Sequence, residues 1–305
     1  MIYVIMHGRS GNQFFQYALA KKIQALRDDK LSIYFGRVTK GNSRWQDDLK
    51  YFNTGNYSIV ENVRTLIKAM TVRQLIYLIW YLIRCKFIKN RDQFMDYQTK
   101  SQIWLNKVGL YWLINGDFSP IRSTAKNVFF CGHFEHYRLY LNMEEELGSL
   151  FTPKQAPIES NTELYKIIKD TESVCISIRR GDYLSSNNMS TYFLCDKSYF
   201  DRAIEVIKEK IPNVTLVFFS DDVKWVRDNF TGDNVYYETE GNPVWEKIRL
   251  MSACKHFIIS NSTFSWWCQY LSHNRDNKIV ISPNRWKNKS SYKGLISPKF
   301  TTIEV

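Results

Sequence analysis

From residue 174 onward, short apolar runs alternate with helical patterns, and nearly every run stops at a polar cluster. Val174 to Ile178 is a buried-strand run, and Tyr199 to Ile211 an amphipathic helix stopped by Pro212. Val214 to Phe219 is a second strand, closed by Ser220-Asp221-Asp222, which caps a helix running through Asn229. A strand at Val235 to Tyr237 leads through Gly241-Asn242-Pro243 to a helix from Val244 to about Ala253. Phe257 to Ile259 is the next strand, Ser260-Asn261-Ser262-Thr263 opens a helix from Phe264 to Leu271, and Ile279 to Ser282 ends at Pro283. Strands alternating with helices in this way require crossovers and so predict a parallel, doubly wound sheet.

The chain begins in the same manner. Ile2 to Met6 meets the turn His7-Gly8-Arg9-Ser10-Gly11-Asn12, then a helix to about Arg27, a strand at Leu31 to Phe35 and a later one at Val128 to Phe130. Residues 40 to 127 read as mostly helical or irregular between them. At 305 residues there is material for two domains. Thr152-Pro153-Lys154-Gln155-Ala156-Pro157 is the best linker, giving domains 1–155 and 156–305. The fold class expected is α/β, with two Rossmann-like domains facing a central cleft. Ligands of open α/β sheets bind beyond the carboxyl ends of strands, which is where Arg179-Arg180, Ser220-Asp221-Asp222 and Asn261-Ser262-Thr263 fall.

Charge is uneven. Of 42 basic residues, seven lie within residues 63–91 and five within 284–300, two stretches without an acid, while the rest of the chain carries 30 basic and 30 acidic residues. A local surplus points to an anionic partner at particular places. Within the first stretch, Leu75 to Ile83 is an apolar run of nine residues, too short to span a bilayer. Its basic flanks, Trp80 and two tyrosines suit an anionic membrane surface; a run apolar on all sides also suits a buried helix. Both readings stand at this point. The six cysteines (Cys85, Cys131, Cys175, Cys195, Cys254, Cys268) show no metal-binding spacing, and several sit in apolar runs. No basic region or cleavage site accompanies Met1–Met6, so a reduced, cytoplasmic setting is expected.

The motifs narrow the chemistry. Gly8-Arg9-Ser10-Gly11-Asn12-Gln13 joins a strand to a helix whose first N–H groups suit an anion, or is simply a glycine turn. Arg179-Arg180, at a strand end, can clamp a diphosphate and neutralise leaving-group charge. Asp182 beside them can accept a proton, or form a structural ion pair with one arginine. Ser220-Asp221-Asp222 suits a metal or a guanine edge, or caps a helix, which is the default at such a junction. Asn261-Ser262-Thr263 suits phosphate, and Trp266-Trp267 after it suits the core.

Taken together these segments resemble the α-1,2-fucosyltransferase family over nearly the whole chain. That family's opening G-G-x-G-N-Q-M-F-Q-Y-A corresponds to His7-Gly8-Arg9-Ser10-Gly11-Asn12-Gln13-Phe14-Phe15-Gln16-Tyr17-Ala18; its H-x-R-R-G-D-Y to Ser177 through Tyr183; and its F-S-D-D to Phe219 through Asp222. Its long L-M-S-x-C-x-H-x-I-I-x-N-S-T-F-S-W-W element corresponds to Leu250 through Trp267, and its aromatic segment to Gly132-His133-Phe134-Glu135-His136-Tyr137. Two departures stand beside the presumed site: Ser177 replaces the family's histidine and His7 its glycine.

The resemblance implies a GT-B-like fold and an inverting, metal-independent transfer of L-fucose from GDP-fucose to the 2-hydroxyl of a galactose-type residue, as in O-antigen assembly. It implies an acceptor-side domain over residues 1–155 and a GDP-fucose domain over 156–305. The residues placed at the donor are Gly11, Asn12, Arg179, Arg180, Ser220, Asp221, Asp222, Asn261, Ser262 and Thr263, with Asp182 and Arg179 in the chemistry. No metal or other cofactor is expected. The acceptor is a galactose-containing oligosaccharide or lipid-linked glycan, with an anionic membrane surface as a further partner. Rival readings are a basic nucleic-acid-binding protein and a nucleotide-sugar transferase of other linkage. No nucleic-acid partner is expected, because the basic residues are confined to two stretches and no standard binding signature appears. The missing G-x-x-x-x-G-K-[ST] and complete G-x-G-x-x-G weigh against kinases and dehydrogenases.

Overall fold

A computed structural model describes residues 1–36, 46–113, 123–184, 192–288 and 293–305, with the side chains of Arg91 and Asp182 outside the described set. The chain divides into two compact units, Met1–Lys50 with Thr54–Met143, and Tyr51–Asn53 with Glu144–Val305.

In the first unit, β1 (Ile2–Ile5) runs into α1 (Ser10–Arg27), and β2 (Leu31–Tyr34) follows. Asp28 closes α1 in the left-handed region, at φ 50°, and turns the chain back toward the sheet. A two-residue β3 (Ser58–Ile59) precedes three helices: α2 (Val63–Ala69), α3 (Val72–Phe87) and α4 (Arg91–Lys107). Thr71 and Gln74 form a reciprocal capping box that starts α3. Two strands complete the unit, β4 (Leu110–Leu113) and β5 (Val128–Gly132). All pairings are parallel, in the order β3-β2-β1-β5-β4. The strand order reverses between β1 and β5.

The second unit opens with α5 (Glu144–Leu150) and α6 (Thr162–Asp170). Then β6 (Glu172–Ile178), α7 (Lys197–Lys210), β7 (Val214–Ser220), α8 (Val223–Asn229) and β8 (Val235–Tyr237) follow in turn. The order continues through α9 (Val244–Ala253), β9 (His256–Ile259), α10 (Thr263–Tyr270), β10 (Val280–Pro283) and β11 (Thr301–Ile303). Asp196 caps α7 by accepting from the Tyr199 N–H at 3.0 Å, and the helix ends before Ile211-Pro212, where the ring forbids continuation. The sheet is wholly parallel, in the order β11-β10-β9-β6-β7-β8. Counted from β6 this is the Rossmann order 3-2-1-4-5-6, whose switch point lies between β6 and β9. Its core sets Val174, Ile176 and Phe218 of the strands against Tyr199, Ala203 and Ile207 of α7. Each large apolar side chain so buried contributes roughly 1.5–3 kcal/mol.

Three sequence expectations change. β4 lies in a stretch read as helical or irregular. The division falls at Met143–Glu144 instead of 155/156, because Phe151 packs edge-on to Trp267 at 5.3 Å and to Phe52 at 6.5 Å. Leu75–Ile83 is not buried on all sides: Ile76 is 60% and Ile79 55% exposed, against 9% for Leu78.

Candidate active site

At the switch point of the second unit, β6 ends at Ile178 and delivers Arg179 and Arg180 beside the end of β7. Arg179 Nη1 pairs with Asp221 Oδ2 at 2.8 Å, and Arg180 Nε with Asp222 Oδ2 at 3.2 Å. Asp221 also accepts from the backbone N–H groups of Arg180 at 2.9 Å and Gly181 at 3.1 Å. A Cβ on Gly181 would lie 2.9 Å from Asp221 Oδ2, so a side chain there would push on the carboxylate that braces the arginines. Asp222 is the N-cap of α8, accepting from the Trp225 N–H at 3.2 Å. The Trp225 ring in turn lies under the Arg180 guanidinium, 3.9 Å from Cζ to the ring centroid.

The Ser-Asp-Asp cluster therefore braces the arginines and caps a helix. Among the described residues the arginines' ion pairs are with Asp221 and Asp222. The side chain of Asp182, the first residue of a short 3-10 turn Asp182–Leu184, lies outside the described residues.

On the other side of the switch point, after β9, Asn261 is 1% exposed and fully used. Its Nδ2 donates to the carbonyls of Phe193 at 3.2 Å and Trp286 at 3.0 Å, and Tyr183 Oη donates to its own carbonyl at 2.9 Å. Asn261 is thus a clasp that draws the second basic stretch to the end of β9. There Arg285 stacks on Phe193 at 5.0 Å and Lys287 on Tyr192 at 6.0 Å. Lys289 of that stretch lies outside the described residues. Ser262 and Thr263 begin α10 in the same loop, and Ser260 Oγ beside them is buried with no hydrogen-bond partner among the described residues. Trp266 and Trp267 are core side chains, 2% and 0% exposed, as expected.

Gly11 and Asn12 belong to the first unit, in the opening turn of α1. Gly8, at φ +71°, makes the turn that a side chain would strain. Two glutamines of the motif organise this loop. Gln16 accepts from the His7 N–H and donates to the His7 carbonyl, both at 2.8 Å. Gln13 donates to the carbonyls of Gly8 at 3.1 Å and Gln46 at 2.8 Å. Ser10 Oγ donates to buried Asp48 at 2.5 Å; burial pushes that carboxyl above its ordinary pKa, against the pull of Ser10 and Gln46.

The loops after β1 and β5 flank the first unit's own switch point. They bring the His7 and His133 rings to 6.2 Å and His133 Nδ1 to 3.3 Å from Glu135 Oε1. Glu135 is 5% exposed. Sequence reasoning placed His133 and Glu135 in the aromatic segment, with Glu135 next after Asp182 as a candidate base, but it missed their pairing and passed over the Trp225 platform. The available signals were the position of His133 one residue beyond a strand and of Trp225 three beyond an N-cap. Among the described residues no three His, Cys, Asp or Glu side chains form a metal-ligand group.

Comparison with known proteins places the chain in a family. The chain is 35% identical over 169 residues to an α-1,2-colitosyltransferase of Escherichia coli, a match covering 54% of this chain and 58% of that protein. It is 27% identical over 314 residues to the O-antigen biosynthesis glycosyltransferase WbnK of Escherichia coli, covering 95% of this chain and 97% of that one. In fold it resembles the NodZ α-1,6-fucosyltransferase co-crystallised with GDP, with a TM-score of 0.51 at 14% identity over 88% of this chain and 92% of that one. The two-sheet α/β architecture is of the GT-B type. With residues 1–296 matching the family model described as Glycosyl transferase family 11, the chain belongs to that family and is a glycosyltransferase.

Proposed function

We propose that this enzyme transfers L-fucose from GDP-β-L-fucose to the 2-hydroxyl of a galactose-type residue of a glycan, with inversion and without a metal ion. The observation that carries the reading is the pair Arg179 and Arg180, held at the switch point by Asp221, Asp222 and Trp225. In the reaction the acceptor oxygen attacks C1 of the sugar, the bond from C1 to the diphosphate breaks, and GDP departs with the electron pair. Two preorganised guanidiniums supply the charge stabilisation that the leaving group needs. Ser220, Asn261, Ser262 and Thr263 shape the donor loops of the second unit, and Gly11 and Asn12 belong to the anion-suited turn of the first.

The hydroxyl proton goes to a general base. Asp182 is the first candidate by its place after the arginines. The His133–Glu135 pair is the second. A colitosyl donor is the alternative to a fucosyl one, favoured by the 35% identity to an α-1,2-colitosyltransferase. Purified enzyme would be given GDP-fucose or GDP-colitose with a panel of galactose-terminated glycans, in EDTA and in magnesium, and the product linkage determined by methylation analysis. The reading holds if fucose appears on O2 of galactose at equal rates with and without metal. Transfer of colitose only, or to another hydroxyl, or only with a divalent cation, would overturn the corresponding part.

A further inference from the structure

Helix α3 is apolar on two opposite faces. One faces the first unit's core through Gln74, Leu78 and Tyr81, which are buried, with Cys85 half-buried below them. The other carries Val72, Ile76, Ile79, Trp80, Ile83 and Phe87, exposed by between 49% and 78%. At 3.6 residues per turn these six fall within an arc of about 100°. Arg73 and Arg84 project along one edge of the arc and Lys86 along the other, all exposed. Their guanidiniums fold over aromatic rings of the helix itself: Arg73 over Tyr77 and Arg84 over Trp80, both at 5.6 Å. Trp80 is propped from behind by Trp104 of α4, with ring centroids 5.2 Å apart. The preceding α2 exposes Val63 and Ile67 beside Arg64 and Lys68.

We propose that this surface docks the protein on an anionic lipid bilayer, with α3 lying in the headgroup plane. The inference does not depend on the donor or acceptor assigned above. Three observations select a bilayer over other occupants. A contiguous stripe of large apolar side chains this exposed needs an apolar partner. Its edges are basic and residues 63–91 contain no acid, so the partner is apolar and anionic at once. A second copy of the same face would oppose like charges along both edges, which disfavours self-pairing.

The geometry also fixes the depth. α3 has 16 residues, about 24 Å long, short of the roughly 30 Å hydrocarbon core. It meets α2 at a bend of 118°, and among the described residues no single helix is long and apolar enough to cross a membrane. A helix with an apolar stripe and basic edges lies in the interface, with lysine and arginine reaching outward and tryptophan at headgroup level.

Flotation of the full chain with vesicles tests this. Wild-type protein should float in low salt with phosphatidylcholine vesicles containing one quarter phosphatidylglycerol and remain at the bottom with phosphatidylcholine alone. The exposed-face variant R73Q/R84Q/K86Q should partition about a hundredfold less, from about 1 kcal/mol per basic side chain near an anionic surface. I76S/I79S should lose flotation even on the anionic vesicles. Both variants should keep the wild-type melting temperature and GDP affinity. Failure of wild-type protein to float on the anionic vesicles overturns the proposal. So does undiminished flotation of R73Q/R84Q/K86Q, which stands as a test even if the serine variant misfolds. A wild-type dimer that I76S/I79S converts to monomer, without vesicle binding, would assign the face to a second copy instead.

Discussion

Ser177 Oγ and Ser265 Oγ share a hydrogen bond of 2.6 Å, joining the last turn-facing hydroxyl of β6 to α10 in a site almost closed to solvent. Ser177 stands where the resembling family has histidine, and the space is filled by this pair. Replacing Ser177 with alanine leaves a buried hydroxyl unpaired and should cost about 1–2 kcal/mol in urea unfolding. Introducing the family's histidine overfills the site at roughly 1–3 kcal/mol. The double variant S177H/S265A should recover part of that loss. Equal stability of S177H and wild type would show that the pair does not set the packing.

Arg180 is held on two sides, by Asp222 on one and by stacking on Trp225 on the other. R180A should lower kcat/KM by roughly 10²–10³, as loss of one preorganised donor does. R180K should recover little, because an ammonium neither forks nor stacks as a guanidinium does. W225A, which leaves the charge but removes the platform, should cost about 0.5–2 kcal/mol of GDP affinity by calorimetry. Wild-type kinetics in R180K would remove the planar fork from the account.

Two candidates compete for the proton. If Asp182 is the base, D182N should abolish turnover while GDP affinity stays within about twofold, and E135Q should remain active. If the base is the His133–Glu135 pair, the outcomes exchange. Losses of the order of 10²–10⁴ in kcat are expected for removal of a general base. Full activity in both variants would exclude both residues.

His256 stands in the longest family-like motif, yet it lies at the amino end of β9, the opposite end from the arginines. Its Nδ1 accepts from the Ile279 N–H at 3.1 Å, so Nε2 carries the proton and donates to Glu172 at 3.3 Å. Burial holds its pKa below the ordinary 6.5; Glu172 opposes that shift and Lys255 adds to it. Below pH 6.5 the unfolded chain therefore takes up more protons than the folded one, and stability falls as pH falls. It should be flat from pH 7 to 8 and decline on acidification through 6 and below. Glu172 has a lowered pKa, mainly from Lys255 and His256, and adds its own loss only below the ordinary 4.5. H256Q should be less stable at pH 7.5 but show a flatter melting profile between pH 7 and 5. An unchanged slope would locate the acid sensitivity elsewhere.

β6 to β10 of the second sheet were legible because each is a short apolar run with a breaker or a cap near its end; β11, Thr-Thr-Ile, carries no such pattern and was missed. Val235–Tyr237 and Val244–Ala253 match residue for residue. β4 was not legible: Leu-Tyr-Trp-Leu follows α4 after two residues and has no β-branched side chain to separate it from the helix. In α3, burial of a single face could not be told from burial all round, since both faces are apolar. At the site, sequence spacing located both arginines. Each ion-pair partner is 42 residues away, and only the parallel register of β6 with β7, Ile178 opposite Ser220, brings them together.

The paired arginines also govern how a donor arrives. Each guanidinium already faces a carboxylate, so the pair by itself exerts little pull on an anion beyond a Debye length, about 8 Å at physiological ionic strength. Its attraction begins at contact, when a diphosphate shares or replaces Asp221 and Asp222 as partner of the guanidiniums. Longer-range pull at this edge of the sheet comes instead from Arg285 and Lys287 at the end of neighbouring β9. The salt dependence of association should therefore follow those two side chains and not the arginine pair.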